Sequence, residues 1–196
     1  MKLFYKESKN FFTKKEKEFI YNNVVHTADF PWYRFAQATS EKFPFYGHVL
    51  IRRYDVKTEK PVINSDIYPF FYEIFKRFCK KHKIKYKQIT RAIINSITYH
   101  GKYQNTDPHI DHDFNHKILM MYLNNTSGDT IIYDKKFYPG GLTILPIDET
   151  SKRPMKELKR VSPKLGKVMC VDGKHFHAGS FPEPGDRRVV VVFTFI

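Results

Sequence analysis

From residue 89 onward the sequence is a succession of short apolar runs broken at close intervals by turn residues, and few architectures accept that pattern. ITRAIINSITY has no helical period and is rich in Ile and Thr, which fits a strand. KILMMYLN (117–124) is a second, TIIYD after the SGD turn at 127–129 is a third, and GGLTILPI, KELKRVSP, GKVMCVDG and RRVVVVFTFI follow, set off by Gly, Pro or charged residues. Strands this short bury a face only by pairing into an antiparallel barrel or a two-sheet jelly roll, the double-stranded β-helix. The expected fold class is α+β, mainly β, with the jelly-roll core over residues 89–196.

The first 88 residues read as a helical support region. Phe12–Val25 carries the S/T-x-x-E capping box in Thr13 and Glu16, with Phe19 and Ile20 opening an apolar stripe. Ser65-Asp66 caps a second helix, along which Ile67, Phe71, Ile74, Phe75 and Phe78 recur at helical spacing, the pattern of a core-facing stripe. FPWYRF (30–35) reads as a strand packed on the core, with a substrate-contacting aromatic wall as the alternative, and 44–56 as one or two extended segments. The polar, aperiodic stretch 146–157 reads as a protruding loop. No repeat or linker divides the chain, and 196 residues suffice for one domain with a proper core.

Charge adds a partner class. With 34 Lys+Arg against 20 Asp+Glu the net charge is +14, which keeps nucleic acid among the partners to consider. The excess is mostly scattered lysine, however. The one dense run, KKHKIKYK at 80–87, falls where a helix should end and cations are favoured anyway. No apolar run approaches the ~20 residues of a membrane span, and MKLFYKESKNFF lacks the unbroken apolar segment of a signal peptide. Cys79 and Cys170 match no metal-ligand spacing and read as reduced core residues of a cytoplasmic protein.

The chemistry concentrates in two stretches. His109 and Asp111 are two residues apart, so on a strand they share a face and can reach one metal ion. His177, in DGKHFHAGS, offers a second imidazole beside the small Ala178 and Gly179. Two histidines and one carboxylate form the facial set of non-haem Fe(II) sites, which leaves the other metal positions open. The neighbouring His112, Asp113, His116 and His175 read as solvated loop residues, His175 with a supporting role as the alternative. A closed structural zinc site would want four protein ligands, and no cysteine lies in this region. Arg187 and Arg188 lead into the last strand. Arg187 shares a face with Val189, Val191, Phe193 and Phe195, and the bulkier face is expected to line the barrel, so Arg187 is the expected inward residue and Arg188 the alternative.

The order of these parts resembles the 2-oxoglutarate-dependent Fe(II) dioxygenases, particularly their prolyl-4-hydroxylase-like branch found in microbes and phages. The resemblance covers 89–196 well and the N-terminal part loosely. It rests on Tyr99 ten residues before His109, then H-x-D, Tyr122-Leu123-Asn124, the Gly128–Thr130 turn, Pro163–Gly166, Asp172-Gly173, His177–Gly179, and an arginine ten residues after His177. It implies a jelly roll in which His109, Asp111 and His177 bind Fe(II), Arg187 binds the far carboxylate of 2-oxoglutarate, and Tyr99 and Tyr122 donate hydrogen bonds to that cosubstrate. Asn95, sharing strand parity with Tyr99, could line the same pocket. The implied reaction is hydroxylation of a substrate C–H bond by O2, releasing succinate and CO2, with peptidyl proline the leading substrate. A nucleic-acid base is the alternative, but the dealkylating branch carries a further arginine six residues after the cosubstrate arginine, and position 193 is Phe. A barrel that binds without chemistry is the non-enzymatic alternative.

Overall fold

The computed structural model describes residues 3–40, 43–146 and 155–196. In chain order its elements are β1 (Tyr5–Ser8), α1 (Lys14–Ile20), a π-helical turn (Tyr21–Val25), β2 (Tyr33–Phe35), β3 (Phe45–Ile51), α2 (Tyr68–His82), β4 (Ile89–Thr98), β5 (Lys117–Tyr122), β6 (Thr130–Lys136), β7 (Glu157–Val161), β8 (Val168–Asp172), β9 (His175–Gly179) and β10 (Arg187–Phe195). They build a seven-stranded sheet in the order β1-β8-β5-β10-β4-β3-β2 and a three-stranded sheet in the order β7-β6-β9, antiparallel throughout. This is the jelly roll expected from the strand pattern. The first 88 residues are more than a helical support, because β1, β2 and β3 join the large sheet.

Local chemistry sets the helices. The Thr13 hydroxyl accepts the Glu16 amide at 3.2 Å and the Glu16 carboxylate accepts the Thr13 amide at 2.7 Å, so the capping box closes in both directions. α2 starts three residues after Ser65, whose hydroxyl accepts the Ile67 amide at 3.4 Å, and Pro69 occupies its first turn. It ends where Lys83 turns left-handed at φ 55°, after Lys80 and Lys81 have placed cations at the negative end of the helix dipole.

The two faces of β10 separate two cores. Val189, Val191, Phe193 and Phe195 point outward onto α2, where the Phe75 ring lies tilted 5.0 Å from Phe193 and edge-to-face 5.1 Å from Phe195. Val190 and Val192 point inward and pack with Ile93, Ile118, Met120, Tyr122, Ile132 and Val161, between the two sheets. The large rings therefore fill the helix–sheet layer, while smaller side chains face the interior. That partition leaves room inside the barrel for a cavity of about 600 Å³.

Some local expectations change. GGLTILPI forms no strand among its described residues, only an isolated bridge from Ile144 to His109. HFHAG, unassigned from the sequence, is β9. β2 is an edge strand with Tyr33 exposed; of the 30–35 segment, Phe30 and Trp32 pack on the core as expected, while Phe35 lines the cavity. Residues 147–154 of the expected loop 146–157 lie outside the described residues. Both cysteines are buried and free. Among the described residues no helix is long and apolar enough to cross a membrane.

Candidate metal centre

His109 does not sit in a strand. It makes an isolated antiparallel bridge to His177 of β9, with the amide of each donating to the carbonyl of the other at 2.9 Å. This backbone pairing is what unites two histidines far apart in sequence, and it brings their ring centres to 4.4 Å. His177 is held from its other side by Ile132 of β6. Asp111 follows His109 out of the bridge and brings Oδ2 to 3.7 Å from His177 Nε2. One ligand atom from each of His109, Asp111 and His177 lies within 4.8 Å of the other two.

Protonation suits a cation. His109 Nδ1 is 2.9 Å from the Asp107 carbonyl and His177 Nδ1 is 3.3 Å from the His175 carbonyl. A carbonyl only accepts, so each Nδ1 carries the proton and each Nε2 keeps its lone pair. Burial pushes both imidazoles down, His177 to about 3 with His109 adding to the effect, so both are neutral near pH 7. Burial alone would push the Asp111 carboxyl up. Neighbouring positive charge, of which that of Arg91 persists once the imidazoles are neutral, outweighs it and holds the group ionised, well below the usual carboxylate range. Asp111 Oδ1 is meanwhile occupied by Arg91 Nη1 at 3.2 Å, with Arg53 Nη2 farther off at 3.9 Å. A negative oxygen and two neutral imidazole nitrogens, all buried and converging, could hold a divalent ion.

The cavity runs from this cluster to a buried arginine, and that arginine is Arg188. Only 3 % exposed, it donates to the Thr130 hydroxyl at 2.7 Å and lies 5.9 Å from the centre of the Tyr122 ring. A Cβ on Gly179 would stand 2.7 Å from Arg188 Nη1, so glycine there leaves space for the guanidinium. Arg188 Nε and Asn95 Oδ1 are buried without a partner among the described residues, and both residues line the cavity. An unpaired buried donor such as Arg188 Nε beside a cavity is what an anionic ligand could satisfy, whereas Asn95 Oδ1 only accepts and would need a donor.

Comparisons with known proteins bear on the fold. No family model matches the chain, and neither does any curated protein. Solved structures do. The epimerase SnoN of nogalamycin biosynthesis, described as non-heme and alpha-ketoglutarate dependent, superposes with a TM-score of 0.66 at 12 % identity over 98 % of this chain and 78 % of that one. A prolyl hydroxylase from Trichoplax adhaerens, bound to a peptide fragment of hypoxia inducible factor, gives 0.60 at 9 % identity over 98 % and 83 %. A prolyl-4-hydroxylase from Pseudomonas putida gives 0.52 at 9 % identity over 97 % and 91 %. The fold is that of the 2-oxoglutarate/Fe(II) oxygenases.

Within this oxygenase fold, the expected site residues fall in different places. Asn95 lines the cavity, and Tyr122 lies buried against Arg188 with its hydroxyl donating to Thr130 at 2.8 Å. Arg187 does not enter. Its side chain donates to the Val25 carbonyl and lies 5.8 Å from the centre of the Trp32 ring, outside the sheet. The parity argument was sound but the choice of face was reversed, because the bulky face of β10 is claimed by α2. Tyr99 is half exposed and, among the described residues, its hydroxyl bonds only the Gly101 carbonyl, at 3.4 Å. β4 ends at Thr98, so the alternation that carries Asn95 inward stops before Tyr99. His112, His116 and His175 are buried rather than solvated. His112 Nε2 lies 2.8 Å from the Thr194 hydroxyl and 3.2 Å from that of Thr90.

Arg53, Arg91 and Thr130 were missed. For Arg91 a signal existed, a single charged residue inside the apolar run ITRAIINSIT on the parity of Asn95. Arg53 lies beyond the end of β3 and carried none.

Proposed function

We propose that this chain is an Fe(II)- and 2-oxoglutarate-dependent dioxygenase that hydroxylates a substrate C–H bond with O2 and releases succinate and CO2. The observation that carries this reading is the convergence of His109, Asp111 and His177 at one end of a cavity whose other end is the buried guanidinium of Arg188. The donor set fits the metal: one carboxylate oxygen and two neutral imidazoles would take one face of an octahedral ion and leave three adjacent positions. Bound iron would supply the O2 and one-electron chemistry that side chains cannot perform.

The side chains have separate tasks. His109 and His177 keep Nε2 available because their Nδ1 protons are committed to backbone carbonyls. Arg91 holds Asp111 Oδ1 and so presents Oδ2 alone to the centre. Arg188 would receive the far carboxylate of 2-oxoglutarate as a two-pronged, charge-assisted pair, oriented by Thr130 and Tyr122. Asn95 would add a hydrogen bond along the way. Met120, Val190 and Val192 line the same wall and keep water from solvating the anion there.

Peptidyl proline is the substrate we favour. Its support is the likeness of fold to two prolyl hydroxylases, one of them bound to a peptide, and a cavity spacious enough for a ring beside the cosubstrate. The test is succinate formation from 2-oxoglutarate with added Fe(II), first alone and then with proline-containing peptides, read by succinate assay and by a gain of one oxygen in the peptide mass. His109→Ala should abolish both signals. Absence of iron-dependent succinate formation, even uncoupled from any peptide, would return the chain to the class of binding barrels.

A further inference from the structure

Three guanidinium groups line the cavity, and the proposed reaction accounts for only two of them. Arg188 faces the cosubstrate end, and Arg91 is hydrogen-bonded to Asp111. Arg53 has no such assignment. Its side chain is 52 % exposed at the cavity wall, 3.9 Å from Asp111 Oδ1 and so beyond hydrogen-bond reach, and it forms no hydrogen bond among the described residues. Arg91, 22 % exposed and at 3.2 Å, already occupies that carboxylate oxygen.

Counting formal charge shows the surplus. A divalent ion and the 2-oxoglutarate dianion cancel, and Asp111 and the exposed Asp113 together offset two of the three guanidinium charges. One cation is left over. It stands close to the metal ligands, since Arg53 and His177 approach the two oxygens of a single carboxylate. The walls around the cavity also carry Tyr54, Phe35, Phe45 and Phe114, so the lining offers rings for the body of a substrate and a planar cation for one charged end.

We propose that Arg53, backed by Arg91, binds an oxyanion group, a carboxylate or a phosphate, that the primary substrate carries close to its reacting carbon. The proposal rests on the oxygenase reading and narrows its substrate class: a prolyl substrate would present a C-terminal carboxylate or an acidic neighbour, not an uncharged internal segment. A guanidinium binds either oxyanion through two parallel N–H donors. A substrate pairing with Arg53 would also relieve the like-charge contact between Arg53 and Arg91.

The experiment uses the protein loaded with Zn(II), which is redox-inert, and 2-oxoglutarate, so that the metal and Arg188 are already engaged. Acetate and inorganic phosphate are then titrated by calorimetry into wild type, Arg53→Gln and Arg53→Lys. The expected result is saturable binding of one of the two anions, weakened about tenfold or more in Arg53→Gln, partly kept in Arg53→Lys, with 2-oxoglutarate affinity preserved in both. A preference for acetate identifies a carboxylate substrate and a preference for phosphate a phosphorylated one. Equal binding to wild type and Arg53→Gln, or no binding of either anion to wild type, overturns the proposal. If Zn(II) or 2-oxoglutarate itself fails to bind, the oxygenase reading falls instead, and the same titration of the metal-free protein still decides the role of Arg53.

Discussion

Replacing Arg188 with methionine should stabilise the ligand-free protein while removing its capacity for 2-oxoglutarate, two effects of opposite sign from one side chain. Arg188 is 3 % exposed, has a hydrogen bond of 2.7 Å to Thr130, lies against Tyr122, leaves Nε unpartnered, and forms no ion pair among the described residues. Burying an ion costs several kcal/mol even after relaxation. Against that stand one charged hydrogen bond, worth roughly 1.5–3 kcal/mol, and the contact with the Tyr122 ring, worth about 1–2 kcal/mol when desolvated. Because the guanidinium faces a cavity that water can enter, the net strain is set at about 1–2 kcal/mol. Methionine keeps the apolar stem and drops the charge. For a chain of this length each kcal/mol moves the midpoint by about 2–4 °C, so Tm should rise by about 2–8 °C in calorimetry of the metal-free protein. Titration of 2-oxoglutarate into the Zn(II)-loaded variant should show affinity weakened by about 10–100-fold, the loss of a paired carboxylate. Arg187→Met is the control, expected to lose a little stability with its bond to the Val25 carbonyl and to leave 2-oxoglutarate affinity alone. An Arg188→Met protein that melts earlier yet still binds 2-oxoglutarate as wild type does would refute the reasoning.

Arg91→Met should weaken binding of Mn(II) alone by about 10–100-fold, followed by electron paramagnetic resonance, with Arg91→Lys in between, because Asp111 Oδ1 loses its 3.2 Å partner; unchanged affinity would remove the orienting role. Gly173→Ala places a Cβ 2.2 Å from His116 Nε2 in a buried corner and should cost about 1–3 kcal/mol in urea unfolding. Thr13→Ala should lower the urea midpoint by the equivalent of about 1 kcal/mol without altering the m-value, since only the cap of α1 is lost. Burial pushes Glu16 up, but Arg77 and the Thr13 amide outweigh it and hold the carboxyl below its usual value. The pair therefore stabilises the fold at neutral pH and this contribution fades as pH falls through the folded-state pKa of Glu16. Melting curves of Glu16→Gln should show a shallower loss of Tm on acidification than wild type.

What the sequence determines by itself here is whatever depends on near neighbours. The capping box at Thr13 and Glu16 spans three residues, the stripe from Phe71 to Phe78 lies within one helix, and the alternating runs after residue 89 announce strands because β-branched residues at period two suit little else. The spacing of His109 and Asp111 is local in the same way, and so was readable as a candidate pair of ligands. The tertiary structure decided everything that turns on which side of a strand is inside. β10 is apolar on both faces because it is covered twice, by α2 and by the opposing sheet, and no alternation can then say whether Arg187 or Arg188 faces the cavity. The bridge that joins His109 to His177, the end of β4 just short of Tyr99, and the meeting of Arg53 and Arg91 at one carboxylate all arise from pairings between distant segments, which only the closed barrel brings into contact.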